Sequence, residues 1–214
     1  MSLLDIIHQD AHIVVVNKPS GLLSVPGRGP DMQDCVVNRL RKMMPHCMEQ
    51  PSVHRLDMDT SGLQLLALQP EGQRRLCLQF QEHEVRKLYY ALIEGVVAED
   101  SGTIELAFRL DPDNRPFQVH DPVQGKTGIT HWRNLGLQDG QTVVEFEPRT
   151  GRTHQLRLHA AHERGLGFPI VGDRLYGTGT APGQLRLHSG LLDFKHPHSG
   201  LPMVFKNRPA WLRL

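Results

Sequence analysis

One carboxylate in this chain stands in surroundings suited to chemistry. Asp57 follows the basic pair His54-Arg55, with only Leu56 between, and precedes Thr60-Ser61-Gly62, a run of hydroxyls and permissive backbone. Nearby positive charge holds a carboxylate ionised even where partial burial opposes it. Such an acid can serve as a nucleophile or a base. The apolar stretch Leu63 to Leu68 reads as a buried strand, which places Asp57 at the edge of a sheet. An Asp before such a turn also has a plainer use as a turn or capping residue, so the local sequence leaves both readings open.

The elements around it follow from pattern. Strands are predicted over 13–17, 62–68, 88–94, 103–108, 129–134 and 142–147, most of them bounded by Gly, Pro, Asn or Asp. Helices are predicted over 35–44, over 71–82 after Pro70, and over 153–164, where Leu156, His159 and Ala160 form one stripe. Strands arrive in runs with few helices between them. That order predicts an α+β fold, a mixed and largely antiparallel sheet with peripheral helices, in one domain spanning 1–214.

Five segments, in order along the chain, resemble the motifs of the RluA-type pseudouridine synthases. His54-Arg55-Leu56-Asp57-Met58-Asp59-Thr60-Ser61-Gly62 is similar to that family's active-site motif, and Val16 to Leu22 to its first motif. Arg86-Lys87-Leu88-Tyr89-Tyr90-Ala91 resembles the segment with the family's active-site tyrosine, Gly151 to Arg157 its third motif, and Pro169 to Gly177 a later structural one. The resemblance runs from near residue 13 to near residue 205. It implies a pseudouridine-synthase catalytic domain with a central RNA-binding cleft, in a short form without the N-terminal RNA-binding domain that many relatives carry.

What the resemblance implies for single residues can be stated in chemical terms. Uridine becomes pseudouridine when the bond between ribose and N1 breaks, the uracil turns and rejoins through C5, and the C5 proton leaves. Asp57 would attack the anomeric carbon or deprotonate its neighbour. Arg157 would pair with Asp57, matching carboxylate geometry with a permanent charge. Tyr89 would lie against the uracil, its hydroxyl a candidate for the C5 proton. Arg55 would fill the space left when the base is flipped from its stack. His54 and Arg152 are further candidates at the RNA, with His54 also expected to bond the local backbone. Asp59, where the motif leaves the position free, is expected to be non-catalytic.

Composition constrains the partners. The net charge of +1 does not by itself indicate RNA, but Arg39 to Lys42, Arg74-Arg75, Arg86-Lys87 and Arg149 to Arg164 concentrate positive charge. Cys35, Cys47 and Cys77 match no disulfide or zinc spacing and are expected to be reduced. No stretch reaches about 18 apolar residues and no leader pattern opens the chain, so a cytoplasmic protein is expected. The 13 histidines raise a rival metal-dependent hydrolase built on His154, His159 and His162, or on His188, His196 and His198. HExxH and the deaminase HxE with CxxC are both absent. A non-catalytic RNA-binding module and a base-excising RNA glycosylase are two further rivals. The expected protein is a monomer acting on an rRNA or tRNA stem-loop, without metal or other cofactor, and not on DNA or membranes.

Overall fold

A computed structural model describes residues 3–214. In chain order its elements are β1 (Asp5–Gln9), β2 (Ile13–Lys18), α1 (Val36–Met43), β3 (Ser61–Ala67), α2 (Pro70–Gln81), β4 (Arg86–Ile93), β5 (Ser101–Leu110), β6 (Gln118–His120), β7 (Lys126–Gln138), β8 (Gln141–Pro148), α3 (Gln155–Ala161), β9 (Leu187–Lys195) and β10 (Pro202–Lys206); a 3-10 turn, Pro30–Met32, precedes α1. The chain divides into two compact units, Met1–Lys87 with His188–Pro209, and Leu88–Leu187 with Ala210–Leu214.

In the first unit β1, β2 and β3 pair antiparallel, β3 runs parallel to β9, and β9 pairs antiparallel with β10. The continuous apolar runs of β2 and β3 are explained by cover on both faces. Val14, Val16 and Leu66 pack with Val36, Val37 and Leu40 of α1, while Ile13, Val15, Leu63 and Leu65 pack with Leu76 of α2. Alternate residues of one strand thus feed two cores. Cys35 is fully buried, and its Sγ accepts the Asn38 amide at the start of α1, which fits a reduced, structural thiol.

In the second unit β4, β8, β7, β5 and β6 pair antiparallel in that order, with β7 between β8 and β5. The register slips between Asn134 and Gly136, where Gly136 takes a φ of 119°. Among the described residues the two units carry the expected mixed, mostly antiparallel strand pairing with three α-helices. Four strands escaped the sequence pattern: β1, β6, β9 and β10. The edge strands of the first unit, β1 and β10, alternate between exposed and half-buried residues and carry little hydrophobic signal. The third helix ends at Ala161 rather than Arg164, because the chain turns back beneath it: Leu166 N–H bonds the His159 carbonyl, and Phe168 N–H the Ala160 carbonyl.

Gly62 joins Asp57's turn to the sheet and leaves no room for a side chain. Its φ is 104°, and a Cβ there would lie 2.3 Å from the Ser189 carbonyl oxygen on the parallel partner strand. Gly62→Ala should therefore cost at least about 2 kcal/mol from strain and overpacking together. Thermal unfolding should show a midpoint lower by about 5 °C or more. Gly151→Ala, with open space around its Cβ, should stay within about 0.5 kcal/mol of wild type.

Candidate active site

Asp57 sits in a turn, its carbonyl accepting the Thr60 amide at 3.1 Å. The backbone on both sides of it is tied to the segment 18–24. Ser24 Oγ both donates to the Leu56 carbonyl (2.7 Å) and accepts the Leu56 amide (3.0 Å). The Met58 carbonyl receives the Gly21 amide at 3.0 Å and Lys18 Nζ at 2.8 Å, and Ser20 Oγ donates to the Asp59 carbonyl. Residues 56, 58 and 59 are thereby fixed, and Asp57 is half-buried among them.

Lys18 is a site residue that the motifs alone did not single out. It is fully buried, and its ammonium donates to the carbonyls of Pro19 (3.1 Å), Leu22 (2.6 Å) and Met58 (2.8 Å), satisfying all three of its donors. Burial pushes its pKa down to about 7, against the charges of Asp57 and Asp59, which raise it. The signal was available in the Asn17-Lys18-Pro19 string, since a lysine ending an apolar strand must either reach water or find acceptors.

His54 also turns inward. Its Nε2 accepts the Leu65 amide of β3 at 2.9 Å, and its ring stacks on Phe80 of α2 at 4.7 Å. Burial, with Lys87 adding to it, lowers its pKa to about 3, so the ring is neutral. This is the local backbone bond expected of it, and it commits the Nε2 lone pair. Arg55, the next residue, is exposed. Ser61 Oγ lies 2.8 Å from Nδ1 of His188, whose pKa burial lowers to about 4.

The second unit positions the other candidates. Tyr89, buried in β4, lies opposite Phe146 of β8. Arg157 is buried in α3 and held by the buried Asp173, Nε to Oδ2 at 2.8 Å and Nη2 to Oδ1 at 2.6 Å. Its guanidinium carbon lies 5.4 Å from the Tyr176 ring centre, whose hydroxyl accepts the Gln118 amide at 2.8 Å and lies 3.0 Å from His154 Nδ1. Asp173 was missed as a site residue, although it falls in the segment that resembles a structural motif.

The loop before α3 depends on one amide side chain. Gln155 Oε1 accepts from Thr150 Oγ1 (2.8 Å) and from the Arg152 backbone (3.0 Å), while its Nε2 donates to the Ile129 carbonyl (3.1 Å) and Thr130 Oγ1 (2.9 Å). Arg152 is consequently presented from a fixed backbone with its side chain exposed. The histidines of the rival metal sets go elsewhere. His154 meets Tyr176, His159 packs edge-on to Phe108, His162 accepts the Arg164 amide, and His196 accepts the amides of His198 and Ser199. Among the described residues, no three His, Cys, Asp or Glu side chains are placed to hold a metal ion.

Comparison with known proteins bears directly on this arrangement. The model of RNA pseudouridylate synthases matches residues 12–162, a span that includes the Asp57 turn, Tyr89 and Arg157. The chain belongs to the RNA pseudouridylate synthase family. It is 43% identical over 205 residues to the dual-specificity RNA pseudouridine synthase RluA of Yersinia pestis, covering 94% of this chain and 97% of that one. The RluA of Escherichia coli strain K12 is 42% identical over 207 residues, covering 95% and 92%. In structure the chain is similar to human RNA pseudouridylate synthase domain containing 1, with a TM-score of 0.78 and 29% identity over 98% of this chain and 84% of that one. The resemblance of the five sequence motifs to the RluA type is thus matched over nearly the whole chain.

The buried imidazoles of the first unit predict how stability depends on pH. His54 and His188 are held neutral with pKa values of about 3 and about 4, whereas in the unfolded chain they titrate near the ordinary 6.5. The unfolded state therefore binds more protons below pH 6.5, so stability is complete above that pH and declines as pH falls toward 4. Each imidazole contributes up to about 1.4 kcal/mol per pH unit in that window. Urea unfolding at pH 7.5 and 5.5 should show the decline, and His54→Gln, whose amide oxygen can still accept the Leu65 amide, should make it shallower. An identical pH dependence in the variant would remove His54 from the account.

Proposed function

We propose that this RNA pseudouridine synthase uses Asp57 on the ribose of the target uridine, as nucleophile at the anomeric carbon or base at its neighbour. The observation that carries the assignment is the clamp on the turn. Three backbone carbonyls and one amide around Asp57 are fixed by Lys18, Ser20, Gly21 and Ser24, which is the support a carboxylate needs to meet a sugar carbon in one geometry. The N1–C1′ bond breaks, the C5–C1′ bond forms, the C5 proton leaves to a base and the freed N1 takes up a proton, so the product has the composition of the substrate. No redox partner is needed for this balance, and the reading includes no metal or other cofactor.

In this reading Arg157 pairs with Asp57 while Asp173 and Tyr176 hold the guanidinium from its own unit. Tyr89 lies against the uracil, Arg55 enters the vacated stack, and Arg152 meets the RNA backbone, with His54 fixing the start of the turn. The exposure of Arg55 and Arg152 supports their assignment to RNA. The two units act together as one catalytic domain over 1–214, a reading supported by a family match that runs through both. The substrate is a structured stem-loop of rRNA, tRNA or both, met by a cytoplasmic monomer. No helix among the described residues is long and apolar enough to cross a membrane.

Asp57→Asn should keep fold and RNA binding while reducing turnover by more than about 10³. Single-turnover release of label from C5 of uridine reads this, and activity within tenfold of wild type would overturn the role of Asp57.

The Arg157 assignment needs a variant that does not strand Asp173. In Arg157→Met with Asp173→Asn, both members of the buried pair become uncharged, so the comparison concerns Asp57 alone. The acidic limb of the pH–rate profile should then move to higher pH, because the catalytic carboxylate has lost a cation favouring its ionised form. An unmoved limb in the folded double variant would dismiss the ion pair.

A further inference from the structure

A second group of cationic side chains lies at the C-terminal end of α3, and none of it enters the chemistry above. Arg164 Nη1 lies 3.4 Å from His120 Nε2. His120 Nδ1 donates to the Ala107 carbonyl at 2.7 Å, so in the neutral ring Nε2 is the acceptor and takes the guanidinium N–H. The His162 ring stands edge-on to His120 at 5.1 Å, and its Nδ1 accepts the Arg164 amide at 3.1 Å. Register adds a fourth group. Phe108 of β5 is the cross-strand neighbour of His120 on one side and of Lys126 on the other, and its ring meets His159 of α3. His120 and exposed Lys126 therefore share the face on which α3 lies.

The charges around this cluster are unbalanced. From β7 comes Lys126; from α3 and its end come buried His159, His162, Glu163 and Arg164; from β5 comes Arg109, which is paired with Asp121 after β6. Glu163 is the acid that acts on His162, against burial and the charges of His120 and Arg164, which together keep that ring below its usual range. Protonating His120 at Nε2 would set two cations 3.4 Å apart with no anion between them. An anion seated there would reverse the sign of that interaction.

We propose that Arg164, His120, His162 and Lys126 form a phosphate-binding site for the RNA backbone, separate from the residues that act on uridine, and that a phosphate there is bound together with a proton on His120. The inference rests on RNA being the substrate, and it concerns binding rather than turnover. A phosphate oxygen would replace His120 as the partner of the Arg164 guanidinium, in the charge-assisted geometry that arginine and phosphate favour. The protonated imidazole would donate its new N–H to the same phosphate. Because the anion favours the protonated ring, the affinity for RNA rises as pH falls through the titration of His120.

The test uses the full chain and a labelled RNA stem-loop in which every uridine is replaced by cytidine, so that no turnover accompanies binding. Anisotropy titrations over a salt series, at pH 7.5 and 6, give affinity and salt slope. Arg164→Gln should weaken binding by about threefold to tenfold and lower the salt slope by about one. His120→Gln should bind nearly as well as wild type at pH 7.5 but lose the gain at pH 6. Unchanged affinity and slope in folded Arg164→Gln, or a full pH gain in His120→Gln, would overturn the site. Failure of the wild type to bind any stem-loop would overturn the site together with the RNA reading, whereas binding without uridine isomerisation on a uridine-containing loop would overturn the uridine chemistry proposed for Asp57 and leave the site standing.

Discussion

The structure around the Asp57 turn depends on one buried ammonium. Lys18 ends β2 inside the first unit, and its three donors meet three carbonyls, one of them on Met58 next to Asp57. Taking a lysine out of water is costly, and the downward shift of its pKa to about 7 expresses that cost. The opposing pull comes from Asp57 and Asp59. The two carboxylates thus favour the charge on the buried lysine, while the lysine's hydrogen bonds fix the backbone between them. A residue with fewer donors could fill the same volume but could not hold the Pro19, Leu22 and Met58 carbonyls at one point.

The second unit solves an equivalent problem with neutral and ionic groups combined. Arg157 has a buried carboxylate along one edge and an aromatic ring 5.4 Å from its guanidinium carbon, so its orientation is determined by two contacts rather than by its own flexible stem. Asp173 is itself tied down, Oδ1 accepting the amides of Leu175 and Tyr176. Gln155 makes four hydrogen bonds at both ends of its amide, which fixes the loop that presents Arg152. Gly128 completes that arrangement. A Cβ there would come within 3.1 Å of both the Gln155 amide carbon and His159 Nε2, so the strand beneath α3 has to be bare at this position. Polar groups buried in this way specify one arrangement because every alternative leaves a donor or acceptor unpaired.

Much of this was legible in the sequence, for reasons that also explain what was not. The β2 and β3 strands and all three helices followed from periodicity, and the α+β class followed from their order. Asp57, Tyr89 and Arg157 are candidates named from motifs whose resemblance spans the chain. Lys18 and Asp173 lay inside those same motifs, yet their roles depend on partners 40 and 16 residues away, and no local pattern announces a contact across such a distance. The strand β9 was hidden for a different reason. Its residues up to Leu192 are buried, including His188 and Ser189, so polar residues occupy positions where a pattern-based reading looks for alternation.

The histidines show how composition can suggest one chemistry while geometry uses another. A chain with thirteen of them invites a search for ligand sets. In the fold, however, His54, His162 and His196 each accept a backbone amide through a ring nitrogen, and His120 donates to a backbone carbonyl. A neutral imidazole can donate at one nitrogen and accept at the other, which suits places where the backbone leaves an unpaired group at a turn or strand edge. Its titration then couples that local bond to pH. Where the ring is buried, as at His54, protonation opposes folding.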